Sequence, residues 1–151
     1  MSLPPKPAEI AREVLTIEGE ALLAMREALS ESFDRVIELL LDVRGRVIVS
    51  GMGKSGHIAH KIAATMASTG TPAQMVHPGE ASHGDLGMIT AQDAVILISN
   101  SGETRELADM IAHTRRFSIP LIAITKKTES TLGQQADHVL ELPDAPEACG
   151  I

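Results

Sequence analysis

Arg46-Val47-Ile48-Val49-Ser50-Gly51-Met52-Gly53-Lys54-Ser55-Gly56 decides the fold. Its first half is a β-branched run of the length of a short strand. An apolar run without alternation is a strand covered on both faces, as in a parallel sheet. Its second half turns through three glycines into residues 54–68, which read as a helix. A strand passing through a glycine turn into a helix opens a βαβ unit.

The rest of the chain repeats that rhythm. Residues 72–76 read as a second strand and Ala94-Val95-Ile96-Leu97-Ile98-Ser99 as a third. Residues 103–117 form an amphipathic helix with Leu107, Met110 and Ile111 inward. Pro120 launches a fourth strand over 121–125, a short helix lies near Leu132, and a fifth strand covers 138–142. Two helices come first. Residues 8–29 carry Ile10, Val14, Ile17, Ala21, Leu22, Met25 and Leu29 at helical spacing, after a proline-rich start. The second helix puts Phe33, Val36, Ile37, Leu40 and Leu41 on one face, with Ser30 or Ser32 as its cap. The fold class is therefore α/β, a three-layer α/β/α arrangement with a five-stranded parallel sheet, preceded by two N-terminal helices. Residues 1–45 form those helices as part of the same domain, and 46–151 form the core.

Composition narrows the partners. The chain has 151 residues, the size of one domain. Its net charge of −7 weighs against a nucleic-acid backbone or an anionic lipid surface. Phe33 and Phe117 are its only aromatic rings apart from histidines, so base or sugar stacking is not its mode of recognition. A lone cysteine, Cys149, allows no internal disulfide and fits a reducing compartment. No apolar run reaches the ~18 residues of a membrane span, and no signal pattern opens the chain. The expected location is the cytoplasm.

In parallel α/β sheets ligands bind beyond the carboxyl ends of the strands. Four loops leave those ends. The loop from Ser50 and Gly51 to Gly56 contains G-x-G-x-x-G, the dinucleotide pattern. However, Gln74-Met75-Val76-His77 offers no acid for a ribose at the end of the second strand. A Walker A loop is excluded as well, because Ile48 stands where its first glycine belongs. Without a ligand, the loop is a tight turn, and Lys54 is a surface lysine or a point charge for an anion. The loop Ser99-Asn100-Ser101-Gly102-Glu103-Thr104 meets a helix N-terminus, where free N–H groups and the helix dipole favour phosphate. A helix cap would need only one of these residues. Thr125-Lys126-Lys127-Thr128-Glu129-Ser130-Thr131 repeats the theme, and two hydroxyl-rich turns at one sheet edge point to a phosphate pocket. The fourth loop, residues 77–87, has no helix or strand pattern but is dense in titratable groups, including His77 and His83. Such a loop can carry an acid/base pair or a metal ligand. The spacing of its two histidines is not by itself a recognised metal signature.

Together these residues resemble the sugar isomerase (SIS) domain, and most of all the arabinose-5-phosphate isomerases of the 3-deoxy-manno-octulosonate pathway. The likeness rests on GMGKSGHIAHKIAATMASTGTPAQMVHPGEASHGDLGMI at 51–89, ISNSGET at 98–104, PLIAIT at 120–125 and PEACG at 146–150. It runs from about Ala8 to the end. GMGKSGH with HPGEASHGDLG is specific, whereas SNSGE is general to SIS domains. The resemblance implies a flavodoxin-like or Rossmann-like sheet and a phosphorylated pentose as substrate. Ser99, Asn100, Ser101, Gly102, Glu103 and Thr104, with the turn from Thr125 to Ser130, would bind the phosphate. Ser50, Gly51, Gly70, Thr71, His77 and His83 would contact the substrate. Lys54, Glu106, Glu147 and His83 match positions tied to activity. His77 matches a site where zinc inhibits, and no cofactor is required. The family forms homotetramers as dimers of dimers, and apolar surface on the two N-terminal helices would serve that assembly. Family members continue past PEACG to a later histidine and often to paired CBS modules, so this chain is expected to be part of a longer protein.

The implied reaction is the interconversion of D-arabinose 5-phosphate and D-ribulose 5-phosphate through a cis-enediol, for lipopolysaccharide biosynthesis or another route. One base can serve both carbons, either Glu147 or a histidine, with Glu106 positioning it and Lys54 stabilising enediolate charge. Three alternatives share parts of the pattern. They are a sugar-phosphate sensor without catalysis, an SIS isomerase for another sugar, and a nicotinamide dehydrogenase built on the glycine loop.

Overall fold

The computed structural model of the protein describes residues 6–148. Its sheet has five parallel strands in the order β2-β1-β3-β4-β5. They are β1 (Val47–Gly51), β2 (Ala73–Met75), β3 (Ala94–Ile98), β4 (Leu121–Thr125) and β5 (His138–Glu141). β1 lies between β2 and β3, so Val47, Ile48 and Val49 are ladder-bonded on both sides and fully buried. Each such side chain contributes about 1.5–3 kcal/mol by leaving water.

The alternation of the strands sorts the core into two layers. Ile48, Val95, Leu97, Leu121 and Ala123 pack in one cluster with Val76, Leu107, Met110 and Leu132. That face is covered by α4 (Pro78–Ser82), α5 (Ala108–Phe117) and α6 (Thr131–Gln135). Val47, Val49, Ile96, Ile98 and Ile122 pack in the other with Val36, Ala59 and Ala63. That face is covered by α2 (Glu31–Asp42) and α3 (Lys54–Ser68). The expected three-layer α/β/α architecture is therefore present, with apolar strands because both faces are covered.

The chain forms two compact units. Ser30–Leu142, which holds the whole sheet and α2, is one; α1 (Pro7–Ala28) and the segment from Pro143 onward belong to the other. α1 starts on Pro7, which suits the first helical turn because its missing N–H has no partner there. None of its residues is buried.

Three local expectations change. In α2 the Ser30 hydroxyl is the cap, accepting from the Ser32 N–H. The packed face is the stripe of Ser32, Val36, Leu39 and Leu40, not the broader one read from the sequence. Ser32 Oγ donates to the Val139 carbonyl at 2.7 Å, which turns the helix so that Phe33, Ile37 and Leu41 face outward. Leu41 is 80% exposed. The helix expected over 103–117 begins instead at Ala108, after a 3-10 turn at Arg105–Leu107, because Glu103 is held by Thr131 of the next loop and Thr104 by Ser99 of its own. The stretch 77–87 is not irregular. His77 caps α4 by accepting from the Gly79 N–H, Pro78 fixes the first helical turn, and Asp85–Met88 forms a second short 3-10 turn. Helices of one turn are too short to leave a periodic trace in sequence.

Two carboxylates tie down the amino edge of the sheet. Asp93 is buried; it accepts from Arg46 N–H at 2.7 Å, Thr90 N–H at 2.7 Å and the Thr90 hydroxyl at 3.0 Å. Asp137 takes a two-pronged contact from Arg115 and a bond from Leu121 N–H. Burial disfavours the charge on Asp93, but its hydrogen bonds and the Arg46 guanidinium outweigh that and lower its pKa. The Arg115 contact lowers the Asp137 pKa, against a smaller opposing effect of burial. A carboxyl with a depressed folded pKa stabilises the fold above the unfolded value of about 3.9, and that contribution is lost as pH falls through the folded value. Asp93→Asn is expected to cost about 1–3 kcal/mol at pH 7, because Arg46 or Thr90 loses an acceptor inside the edge. The variant should also lose less stability than the parent between neutral and acid pH. Urea melts at pH 7 and at about pH 2, below the unfolded carboxyl value, check both, and equal acid sensitivity in the two proteins would count against Asp93 as a contributor.

Candidate functional site

Strand order fixes where a ligand can lie. From β1 the chain crosses to β2 on one side, while β3 sits on the other, so loops on either side of β1 diverge. The crevice at such a reversal, outside the carboxyl ends, is where open α/β sheets bind ligands. Gly51 is in register with Ile98, so the glycine loop after β1 and the Ser99 loop after β3 emerge side by side.

The glycine loop is shaped by close backbone packing. A Cβ on Gly56 would come within 2.7 Å of the Gly51 carbonyl, and one on Gly51 within 2.9 Å of the Ser55 backbone. Strand and helix therefore approach closely, and Lys54, the first residue of α3, stands exposed at the loop. Ser50, just beneath, is fully buried, and its hydroxyl has no hydrogen-bond partner.

The loops after β3 and β4 are zipped together. Ser99 Oγ accepts from Gly102 N–H at 3.0 Å and pairs with Thr104 Oγ1 at 2.8 Å. The Asn100 carbonyl accepts from Lys126 N–H and from Thr125 Oγ1. The Gly102 carbonyl accepts from Leu132 N–H at 3.1 Å. Ser130 Oγ donates to Lys127 O and accepts from Gly133 N–H, capping α6. Glu103 completes the seam: its two oxygens accept from Thr131 N–H at 2.7 Å and Thr131 Oγ1 at 2.8 Å. Those bonds lower its pKa below the ordinary glutamate value. Ser99, Thr125 and Ser130 are thus buried hydroxyls that shape the loops, while Asn100 and Ser101 are exposed and Thr104 is half-buried.

His77 and His83 bracket α4, which packs against α5 and the Arg105–Leu107 turn, so this stretch neighbours Glu106. Both histidines and Glu106 are exposed. The His77 Nδ1 accepts from Gly79 N–H at 3.1 Å, so in the neutral ring Nε2 carries the proton and is a donor. No three His, Cys, Asp or Glu side chains among the described residues come together as a metal site.

Gly70 and Thr71 are not brought to this edge. α3 runs back along the sheet, and Thr71 sits where it ends; the adjoining Pro72 carbonyl accepts from Val47 N–H, at the start of β1. They therefore lie at the amino edge, about a strand length of ~17 Å from the loops. Glu147 belongs to the unit containing α1, while Cys149 and Gly150 of the PEACG stretch lie outside the described residues. The Glu103 clamp was not apparent from the sequence. The one available signal was an acid inside a loop otherwise built of small residues.

Gly102 is the tightest point of the seam. Its φ is +67°, and a Cβ there would overlap Ser130 Oγ and Cβ. Gly102→Ala is expected to destabilise the protein by about 2–4 kcal/mol, from left-handed strain together with overpacking. Urea denaturation measures it, and a change below about 0.5 kcal/mol, the size of an ordinary surface substitution, would mean that the two loops do not pack as described.

Residues 39–151 match the SIS domain family. The arabinose 5-phosphate isomerase KdsD of Yersinia pestis is 52% identical over 95% of this chain. The enzyme of the same name from Escherichia coli K12 is 50% identical over 95%. The chain spans 44% of the length of each of these relatives. A protein of E. coli CFT073, solved in complex with A5P, superimposes with a TM-score of 0.89 at 40% identity, covering 93% of this chain and 75% of that one. With a family match over most of its length and the expected five-stranded parallel sheet, this chain belongs to the SIS domain family.

Proposed function

We propose that the chain is the isomerase domain of an arabinose 5-phosphate isomerase, interconverting D-arabinose 5-phosphate and D-ribulose 5-phosphate. The observation that carries the proposal is the cluster at the carboxyl edge. Two zipped, hydroxyl-rich loops adjoin a glycine loop that presents Lys54. The names of the relatives at about half identity support the same substrate.

In this reading the phosphate lies against the loops after β3 and β4, near Ser101 and Thr104, and the sugar extends toward Gly51 and His83. The open-chain aldose loses its C2 proton to a base while its C1 oxygen takes up a proton, giving a cis-enediol. The enediol then loses its O2 proton and receives one at C1, giving the ketose. No external oxidant or reductant enters the balance. The base is Glu147 or His83, Glu106 positions it, and Lys54 stabilises negative charge on the enediol oxygens. Ser50 offers its unpartnered hydroxyl beneath the sugar. The route is 3-deoxy-D-manno-octulosonate and lipopolysaccharide biosynthesis in the cytoplasm, carried out by a homotetramer, with zinc at His77 as an inhibitor and no cofactor. Among the described residues no helix is long and apolar enough to cross a membrane.

A coupled assay for ribulose 5-phosphate formation, run on the full-length protein, tests the proposal. Lys54→Ala is expected to lower kcat by about 10²–10³-fold, the usual effect of losing a group that stabilises transition-state charge. Removal of the base should lower kcat at least as far, so Glu147→Gln and His83→Asn together assign it: the base is the one whose loss abolishes turnover. Normal turnover by both variants would reject the base assignment. Thermal stabilisation by NAD but not by pentose phosphates would reject the isomerase reading, and stabilisation by arabinose 5-phosphate without turnover would favour the sensor.

A further inference from the structure

Glu103 lies in the loop where a phosphate is expected, yet a carboxylate aimed at a phosphate dianion would repel it. Its geometry removes the conflict. Both oxygens are engaged by Thr131, the N–H at 2.7 Å and the hydroxyl at 2.8 Å. Thr131 is the first residue of α6, so the contact anchors the β3 loop to the start of that short helix. The Glu103 backbone stays with the β3 loop, its N–H donating to Ser101 Oγ at 3.2 Å. One residue thus reaches from the loop that carries Ser101 and Thr104 to the start of the helix after β4.

The other ties of the seam differ in kind. The Asn100–Lys126 and Gly102–Leu132 bonds join backbone to backbone and survive truncation of any side chain. Asn100 to Thr125 is a long 3.4 Å contact. Glu103 to Thr131 is the charge-assisted, two-pronged tie among those described, and such bonds are roughly twice as strong as neutral ones. It is also exposed, so it contributes little core packing of its own.

We propose that Glu103 is a positioning residue, not a ligand, and that its clamp on Thr131 sets the separation of the two loops that receive the sugar phosphate. This rests on the phosphate lying at those loops, as in the proposed function. Without the clamp the backbone bonds still join the loops, but the exposed rim from Ser101 to Thr104 would have to be ordered by the incoming phosphate, which weakens binding without touching the reacting carbons. The effect therefore falls on KM and on phosphate affinity, not on kcat.

The test measures steady-state kinetics with arabinose 5-phosphate and, separately, the inorganic phosphate concentration giving half-maximal thermal stabilisation. Glu103→Ala is expected to raise KM and the phosphate midpoint together by about tenfold, with kcat within about twofold of the parent. Glu103→Gln, which still accepts from the Thr131 N–H, should recover most of the loss. Thr131→Val should give a smaller increase, Thr131→Ser almost none, and the Glu103→Ala/Thr131→Val pair no more than Glu103→Ala alone. Unchanged KM and phosphate midpoint, a loss confined to kcat, or additive effects in the pair would each overturn the clamp. If Glu103→Ala does not fold, the contrast between Thr131→Val and Thr131→Ser decides the matter by the same readings. Because the phosphate titration needs no turnover, a parent protein that binds phosphate but does not isomerise arabinose 5-phosphate rejects the isomerase reading while the clamp is still judged by the midpoint shifts. A parent that gains no stability from phosphate counts against both.

Discussion

The site rests on the two-sided pairing of β1. Its ladder to β3 along Val47–Gly51, with β2 paired to Val47–Val49 on the other side, locks the strand inside the sheet. Gly51 thereby ends the strand beside Ile98, which fixes the glycine loop next to the Ser99 loop. In a parallel sheet all carboxyl ends share one edge, so the functional loops converge there without any contact chosen for that purpose. Burial holds the arrangement: β1 and β3 are fully covered by helices on both faces.

On that frame the loops divide their work. Buried hydroxyls of Ser99, Thr125 and Ser130 satisfy backbone groups and cap α6. Ser101 and Lys54 stand exposed at the rim. Burying a hydroxyl without a partner costs about 1–3 kcal/mol, so three that are fully engaged make a rigid floor. Ser50 is the exception, with an unpartnered hydroxyl in the same floor. A rigid floor and exposed rim suit recognition of a charged group that must be held in one place while chemistry occurs a few bonds away.

The elements differed in how far sequence pattern revealed them. All five strands and α3 fall within a residue or two of their expected spans, because β-branched runs and glycine turns are local signals. α2 was visible as a helix, but its packed stripe was not. Which of two adjacent apolar stripes is buried depends on the Ser32 contact with Val139, far away in sequence. α4 escaped for want of length, and the start of α5 moved because Glu103 found Thr131 as a partner.

By itself the sequence determined the layered α/β class, the loops that carry small polar residues, and the resemblance that named a sugar phosphate. Each of these is written in contiguous residues, where propensity and motif spacing act. The tertiary structure alone decided which loops touch. It joined Asn100, Gly102 and Glu103 to Lys126, Leu132 and Thr131, and it sent Gly70 and Thr71 to the opposite edge of the sheet. Those outcomes follow from strand order and helix direction, which are set by the packing of elements distant along the chain and leave no mark in any one of them.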